Sequence, residues 1–185
     1  MRAATREAIE TIALAIFLVL VLQATVANFR VEGPSMDPRL HNHDRVLVNK
    51  ALYMQVNAAR VDRFVPGVDG EEGEIWHPFR SPERGDVIVF QYPRDPGENF
   101  VKRVIGLPGE TVHVEGSLVF IDGVLLEEPY IEHEAHDPPI ERVVPPNHYF
   151  VMGDNRAQSD DSRSGWTVPQ ENIVGKVWVS YWPPG

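Results

Sequence analysis

Apolar residues fall along this chain in two rhythms. From Ile9 to Phe29 they are nearly continuous, IETIALAIFLVLVLQATVANF, with Glu10 at the leading edge as the only charge. As a helix this stretch spans about 30 Å, the thickness of a bilayer's hydrocarbon core. Beyond Phe29 the chain turns to short alternating or β-branched segments: Arg45 to Val48, Asp86 to Phe90, Phe100 to Ile105, Thr111 to Val114, Leu118 to Ile121 and Val174 to Tyr181. Each is bounded by Gly, Pro, Asn or Asp. Asp122-Gly123, set between two apolar runs, predicts a hairpin turn because both residues tolerate positive φ. The expected fold class is mainly β, an antiparallel β-sheet domain preceded by one N-terminal transmembrane helix.

Three parts follow: a short cytoplasmic tail over residues 1–8, an anchor over 9–29, and a β domain over 30–185 outside the cytoplasm. Arg2 and Arg6 precede the span and Arg30 alone lies close behind it, so the positive-inside bias favours a cytoplasmic N-terminus. A cleaved signal peptide, ending at the small residues around Thr25-Val26-Ala27, and a buried core helix are the competing readings. Residues Ala58 to Arg84 and Glu127 to Pro146 are rich in charge or Pro with little periodicity and are read as surface excursions.

Composition narrows the chemistry. Acidic residues outnumber basic ones by 27 to 17 for a net charge of -10, and no Lys/Arg cluster tracks a phosphate backbone, which argues against nucleic acid as a partner. The chain has no cysteine, so covalent catalysis would need a hydroxyl, an amine or a carboxylate. Its seven histidines form no helical i,i+4 pair and no known ligand spacing, and no phosphate loop occurs, so neither a metal nor another cofactor is expected.

Three segments bring chemically compatible residues together. In GPSMDPRL, Gly33 to Leu40, two prolines and a glycine around Ser35 imply a rigid turn that holds a hydroxyl at a fixed angle; an ordinary turn has the same composition. In NFVKRVIGLPGE, Asn99 to Glu110, alternation sets Lys102 on one strand face with Phe100 and Val104, where desolvation lowers the amine's pKa; a lysine snorkelling to water is the plainer alternative. In MGDNRAQSDDSRSGW, Met152 to Trp166, Asp154, Arg156, Ser159, Asp160, Asp161, Ser162 and Arg163 crowd one loop, where charges can pair with one another and a serine hydroxyl can orient a neighbouring amine; solvated loop pairs would look alike.

Taken in order, the apolar span, GPSMDPRL, RGDVIVF (Arg84 to Phe90), KRVIGLPGE (Lys102 to Glu110) and GDNRAQSDDSR (Gly153 to Arg163) resemble the signature boxes of bacterial type I signal peptidases, in the Gram-positive-like single-span form. These membrane-bound serine proteases use a Ser-Lys dyad to remove signal peptides from exported proteins. The resemblance covers nearly the whole chain. It implies Ser35 as nucleophile and Lys102 as general base, an acyl-enzyme intermediate, and the Ser35 amide as oxyanion donor. It implies Ser159 as a hydrogen-bonding partner of the lysine amine, with Asp154, Asp161, Arg103 and Arg163 as supporting charges. Gly33, Pro34, Met36, Leu40 and Val101 are implied to contact substrate, the last three lining shallow pockets that favour Ala-x-Ala sites.

Implied partners are preproteins bearing signal peptides, the lipid bilayer, and the secretion translocon nearby. Three positions depart from the pattern: Gly33 stands where some members carry a second oxyanion serine, Arg39 where a threonine is usual, and Glu110 where an aspartate is usual. The rival readings are a self-cleaving Ser-Lys repressor, which would need a DNA-binding helical domain, and a membrane-tethered, non-catalytic β domain that binds exported proteins.

Overall fold

The computed structural model describes residues 2–53, 56–57, 75–76, 80–132, 135 and 137–182. A single long helix, α1 (Arg2–Thr25), is followed by thirteen strands: β1 (Val26–Arg30), β2 (Arg45–Asn49), β3 (Val56–Asn57), β4 (Ile75–Trp76), β5 (Val87–Tyr92), β6 (Asp95–Gly106), β7 (Thr111–Gly116), β8 (Leu118–Ile121), β9 (Val124–Leu125), β10 (Asp137–Val143), β11 (His148–Met152), β12 (Val168–Pro169) and β13 (Ile173–Trp182). Seven of them form one sheet in the order β1-β2-β13-β5-β6-β11-β12, four a second in the order β10-β7-β8-β9, and β3 pairs with β4. Every pairing is antiparallel.

The helix carries the expected apolar span, with a mean hydropathy of 2.2 over Arg6–Thr25. Its large side chains, including Leu14, Phe17 and Leu22, are exposed, with none of the described residues of the β domain covering them. It stops at Thr25, short of Phe29. There the hydroxyl turns back to the Val21 carbonyl at 2.8 Å, and the Thr25 carbonyl accepts from the Lys50 amide at 2.8 Å. The residues after it, expected to finish the span, leave the helix as β1 and pair with β2 from Val26↔Asn49 to Arg30↔Arg45. Continuous apolar sequence does not distinguish the end of a helix from a strand that follows it.

Period-2 alternation in the central strands feeds separate apolar clusters. Ile88 and Phe90 of β5 pack with Val104, Tyr149, Val151 and Trp166, while Val87 and Val89 pack with Met36, Leu40, Val46 and Val48. Ile105, Phe150 and Met152 instead join Val112, Val114, Val119 and Ile121 of the four-stranded sheet. The Asp122-Gly123 hairpin forms as its sequence predicts: Ile121 pairs with Val124, and both turn residues have positive φ, 49° and 80°.

The excursion expected over Glu127 to Pro146 is only partly a loop. Asp137–Val143 forms β10, an edge strand on β7, whose register slips between Asp137 and Ile140 around two prolines. Most of the stretch from Ala58 to Arg84 lies outside the described residues. Of the part within them, Ile75–Trp76 is β4, and the Arg80 guanidinium reaches Asp86 at 2.9 Å.

Candidate active site

Ser35 sits in the turn that leads from β1 to β2. Gly33, at φ +86°, bends the chain there and donates its amide to the Asn42 side chain at 3.0 Å. Beneath the turn Met36 and Leu40 are buried in the apolar layer, and the Leu40 amide bonds back to the Met36 carbonyl at 2.9 Å. The turn is thus anchored from below while the serine faces outward.

Lys102 comes from β6, next to the central strand of the sheet and opposite Ile88. Its ammonium donates to the Ser35 hydroxyl at 2.8 Å and to the Val101 carbonyl at 3.1 Å, and lies 5.4 Å from the Phe100 ring. Only 5% of the lysine is exposed. Burial drives its pKa from 10.5 down to about 8, against the pull of Asp161, Asp160 and Asp154. Snorkelling to water does not occur.

Arg103, the neighbouring residue, is drawn elsewhere. Its guanidinium grips Asp154 with two bonds of 2.7 and 2.5 Å, donates to the Gly85 carbonyl at 2.8 Å, and lies 3.9 Å from the Tyr130 ring centre. Arg163 likewise holds Asp161, with contacts of 2.8 Å to both carboxylate oxygens, and Asp161 accepts the Gly153 amide at 3.1 Å. Asp154 and Asp161 are therefore each paired with an arginine, and among the described residues the hydrogen-bond partners of Lys102 are neutral.

The loop and the serine turn meet directly. The Asn155 amide donates to the Ser35 carbonyl at 3.1 Å. Gly153 admits this approach because a side chain there would collide with the Ser35 carbonyl and with Ser159. Ser159 stands beside this junction, but its hydroxyl is buried without a hydrogen-bond partner among the described residues, so the expected bond to the lysine amine is not made.

Ser35 and Lys102 open onto a cleft of about 530 Å³, lined by Phe29, Val31, Val46, Val89 and Val101, with Glu32, Glu98 and Asp160 adding charge. Of the residues expected to line the pockets, Val101 does so; Met36 and Leu40 lie in the layer beneath. Arg39 is exposed and away from the cleft lining. Glu110 closes the turn after β6, accepting the Leu107 amide at 2.7 Å and Arg84 at 2.6 Å, so the longer acid ties RGDVIVF to the lysine segment.

Two side chains escaped the sequence reading. Glu128 pairs with the buried Arg156 through bonds of 2.9 and 2.5 Å and accepts the Tyr130 hydroxyl at 2.7 Å, while Tyr130 covers Arg103. Both lie in the stretch read as an excursion, where nothing local in the sequence announces a buried carboxylate. Among the described residues no cluster of His, Asp and Glu suits a metal ion.

The family profile described as "Signal peptidase, peptidase S26" matches residues 5–182. The chain belongs to the signal peptidase family. Signal peptidase I of Leptolyngbya laminosa is 37% identical over 185 residues, covering 96% of this chain and 79% of that protein. Signal peptidase I of Pseudomonas fluorescens is also 37% identical, over 91% of this chain and 70% of its own length. A crystal structure of a signal peptidase I from Enterococcus faecalis, 37% identical, aligns with 54% of this chain and 98% of its own at a TM-score of 0.47.

Proposed function

We propose that this signal peptidase cleaves preproteins through a dyad in which Ser35 attacks the scissile carbonyl and Lys102 takes its proton. The observation that carries the reading is the 2.8 Å contact between the Ser35 hydroxyl and a buried lysine amine. With its pKa near 8, the amine loses its proton at mildly alkaline pH, and the contact then reverses, the hydroxyl donating to the nitrogen. Attack forms a tetrahedral intermediate. Among the described residues the Ser35 amide has no acceptor, which leaves it available for the developing oxyanion. Lys102 next delivers its proton to the leaving amine, which departs as the new N-terminus of the mature protein. The signal peptide stays as the acyl group on Ser35 until a water deprotonated by Lys102 hydrolyses the ester and releases it.

Supporting roles follow from contact. Arg103–Asp154 and Arg163–Asp161 hold the loop that presses on the Ser35 carbonyl, while Gly33 and Pro34 shape the turn beside the cleft. A lining of valines accommodates small side chains, consistent with cleavage after Ala-x-Ala. The exposed apolar helix α1 suits a single membrane span. Arg2 and Arg6 favour a cytoplasmic N-terminus, placing the cleft across the membrane where preproteins leave the translocon.

The test is cleavage of a model preprotein in detergent by the wild type, Ser35→Ala and Lys102→Met, with N-terminal sequencing of the product. Processing after a small residue by the wild type alone supports the dyad; equal rates in all three would refute it. For orientation, the chain's lack of cysteine makes Ser117→Cys a unique label. An impermeant maleimide should modify it from outside spheroplasts, and labelling only after lysis would reverse the topology.

A further inference from the structure

Three carboxylates act on Lys102, and they are not equivalent. Asp154 is held by Arg103 at 2.7 and 2.5 Å, and Asp161 by Arg163 at 2.8 Å. Each of these pairs is a dipole whose field falls off quickly. Asp160 is different. It is exposed, lines the same cleft as Ser35 and Lys102, and has no hydrogen bond or ion pair among the described residues. The other charged side chains of the cleft are Glu98, on the same strand as Lys102, with Glu32 and Arg30 before the serine turn; Arg30 lies 2.8 Å from His43 Nδ1.

We infer that Asp160 is a positioning residue acting through Lys102: its unpaired charge favours the ammonium form and so sets the pH and the ionic strength at which the amine becomes free to act as base. The inference rests on Lys102 being that base. Of the carboxylates that act on the amine, Asp160 alone carries a charge no arginine offsets, and because it stands in solvent, salt can screen it. Burial lowers the amine's pKa most, with Asp161, Asp160 and Asp154 opposing that shift and Arg163 adding to it. Asp160 is the one of these carboxylates not shielded by an arginine. Its effect is a trade: the ammonium is favoured, and more alkali is needed before the amine is free.

The test compares kcat/KM against pH for wild type, Asp160→Asn and Asp160→Glu, at about 0.01 M and about 1 M salt, where the Debye length is about 30 and 3 Å. At low salt the acid limb of Asp160→Asn should lie about half a unit below that of the wild type. That makes the variant about threefold faster on the limb, with the same alkaline plateau. High salt should bring the wild type and Asp160→Glu to the same place and leave Asp160→Asn unmoved. Coincident limbs at low salt would overturn the inference, as would a salt shift equal in all three or a lowered plateau with the limb in place. A wild type with no acid limb would remove the base itself, and the inference with it.

Discussion

Two lysines flank Ile88 in one row across the large sheet, Lys176 from β13 on one side and Lys102 from β6 on the other. Their chemistry differs because their partners do. The Lys176 ammonium rests on Asp86, a buried carboxylate that also receives the Tyr53 hydroxyl, Arg80 at 2.9 Å and the Glu83 amide at 3.1 Å. Burial alone would raise the Asp86 carboxyl's pKa, but the hydrogen bonds from Lys176, Tyr53, the Glu83 amide and Arg80 outweigh it and hold the carboxyl below its ordinary range. Lys102 is given a hydroxyl and a carbonyl instead, and the nearby carboxylates that could fix its charge are mostly taken by arginines. Strand position and residue type are shared; the charge of the partner separates a structural cation from the amine proposed as base.

The same substitution at the two positions gives the widest contrast. Lys102→Met should lower kcat/KM by at least about a thousandfold, as should Lys102→Arg, whose guanidinium cannot lose its proton. Lys176→Met should leave activity per folded molecule within a few fold. Activity retained in Lys102→Arg would break the distinction. A smaller loss should follow Gly153→Ala: the added methyl displaces the Ser35 carbonyl and should reduce kcat about a hundredfold, with KM much less affected.

Stability should move in opposite directions. Lys176→Met takes one of the cations from the buried Asp86 carboxylate and should cost about 2 kcal/mol, whereas Lys102→Met removes a poorly solvated ammonium and should stabilise by about 2 kcal/mol at neutral pH. Denaturant unfolding in detergent measures both, and equal signs would contradict the comparison.

The smallest effects are in pH dependence. Asp86 has a lowered folded pKa, so its contribution is complete above the unfolded value of about 4 and is lost as pH falls through the folded one; Asp86→Asn should flatten that acid loss. Lys102 also titrates lower when folded. Between about 8 and 10.5 the unfolded chain binds more protons, stability rises with pH, and Lys102→Met should remove the slope.

Much of this was legible in the sequence. The six alternating segments all became strands, because a half-buried sheet writes its period into the chain. The span was legible by length and apolarity, but β1 was hidden in the same apolar run, and β10, exposed and carrying two prolines, showed no period to read. Ser35 and Lys102, drawn from two separate boxes, lie 2.8 Å apart. The Glu128–Arg156 pair and the Tyr130 cover over Arg103 were not legible, since these contacts join distant parts of the chain through residue types common on any surface.

The central claim is that a neutral Lys102 amine is the base, and the wild-type pH profile of kcat/KM for a model preprotein tests it most directly. The rate should climb about tenfold per pH unit on the acid side, bend near the lysine's value of about 8, and then level off. A rate that stays flat from pH 6 to about 9 would contradict the claim, because no group with this pKa would then govern the reaction.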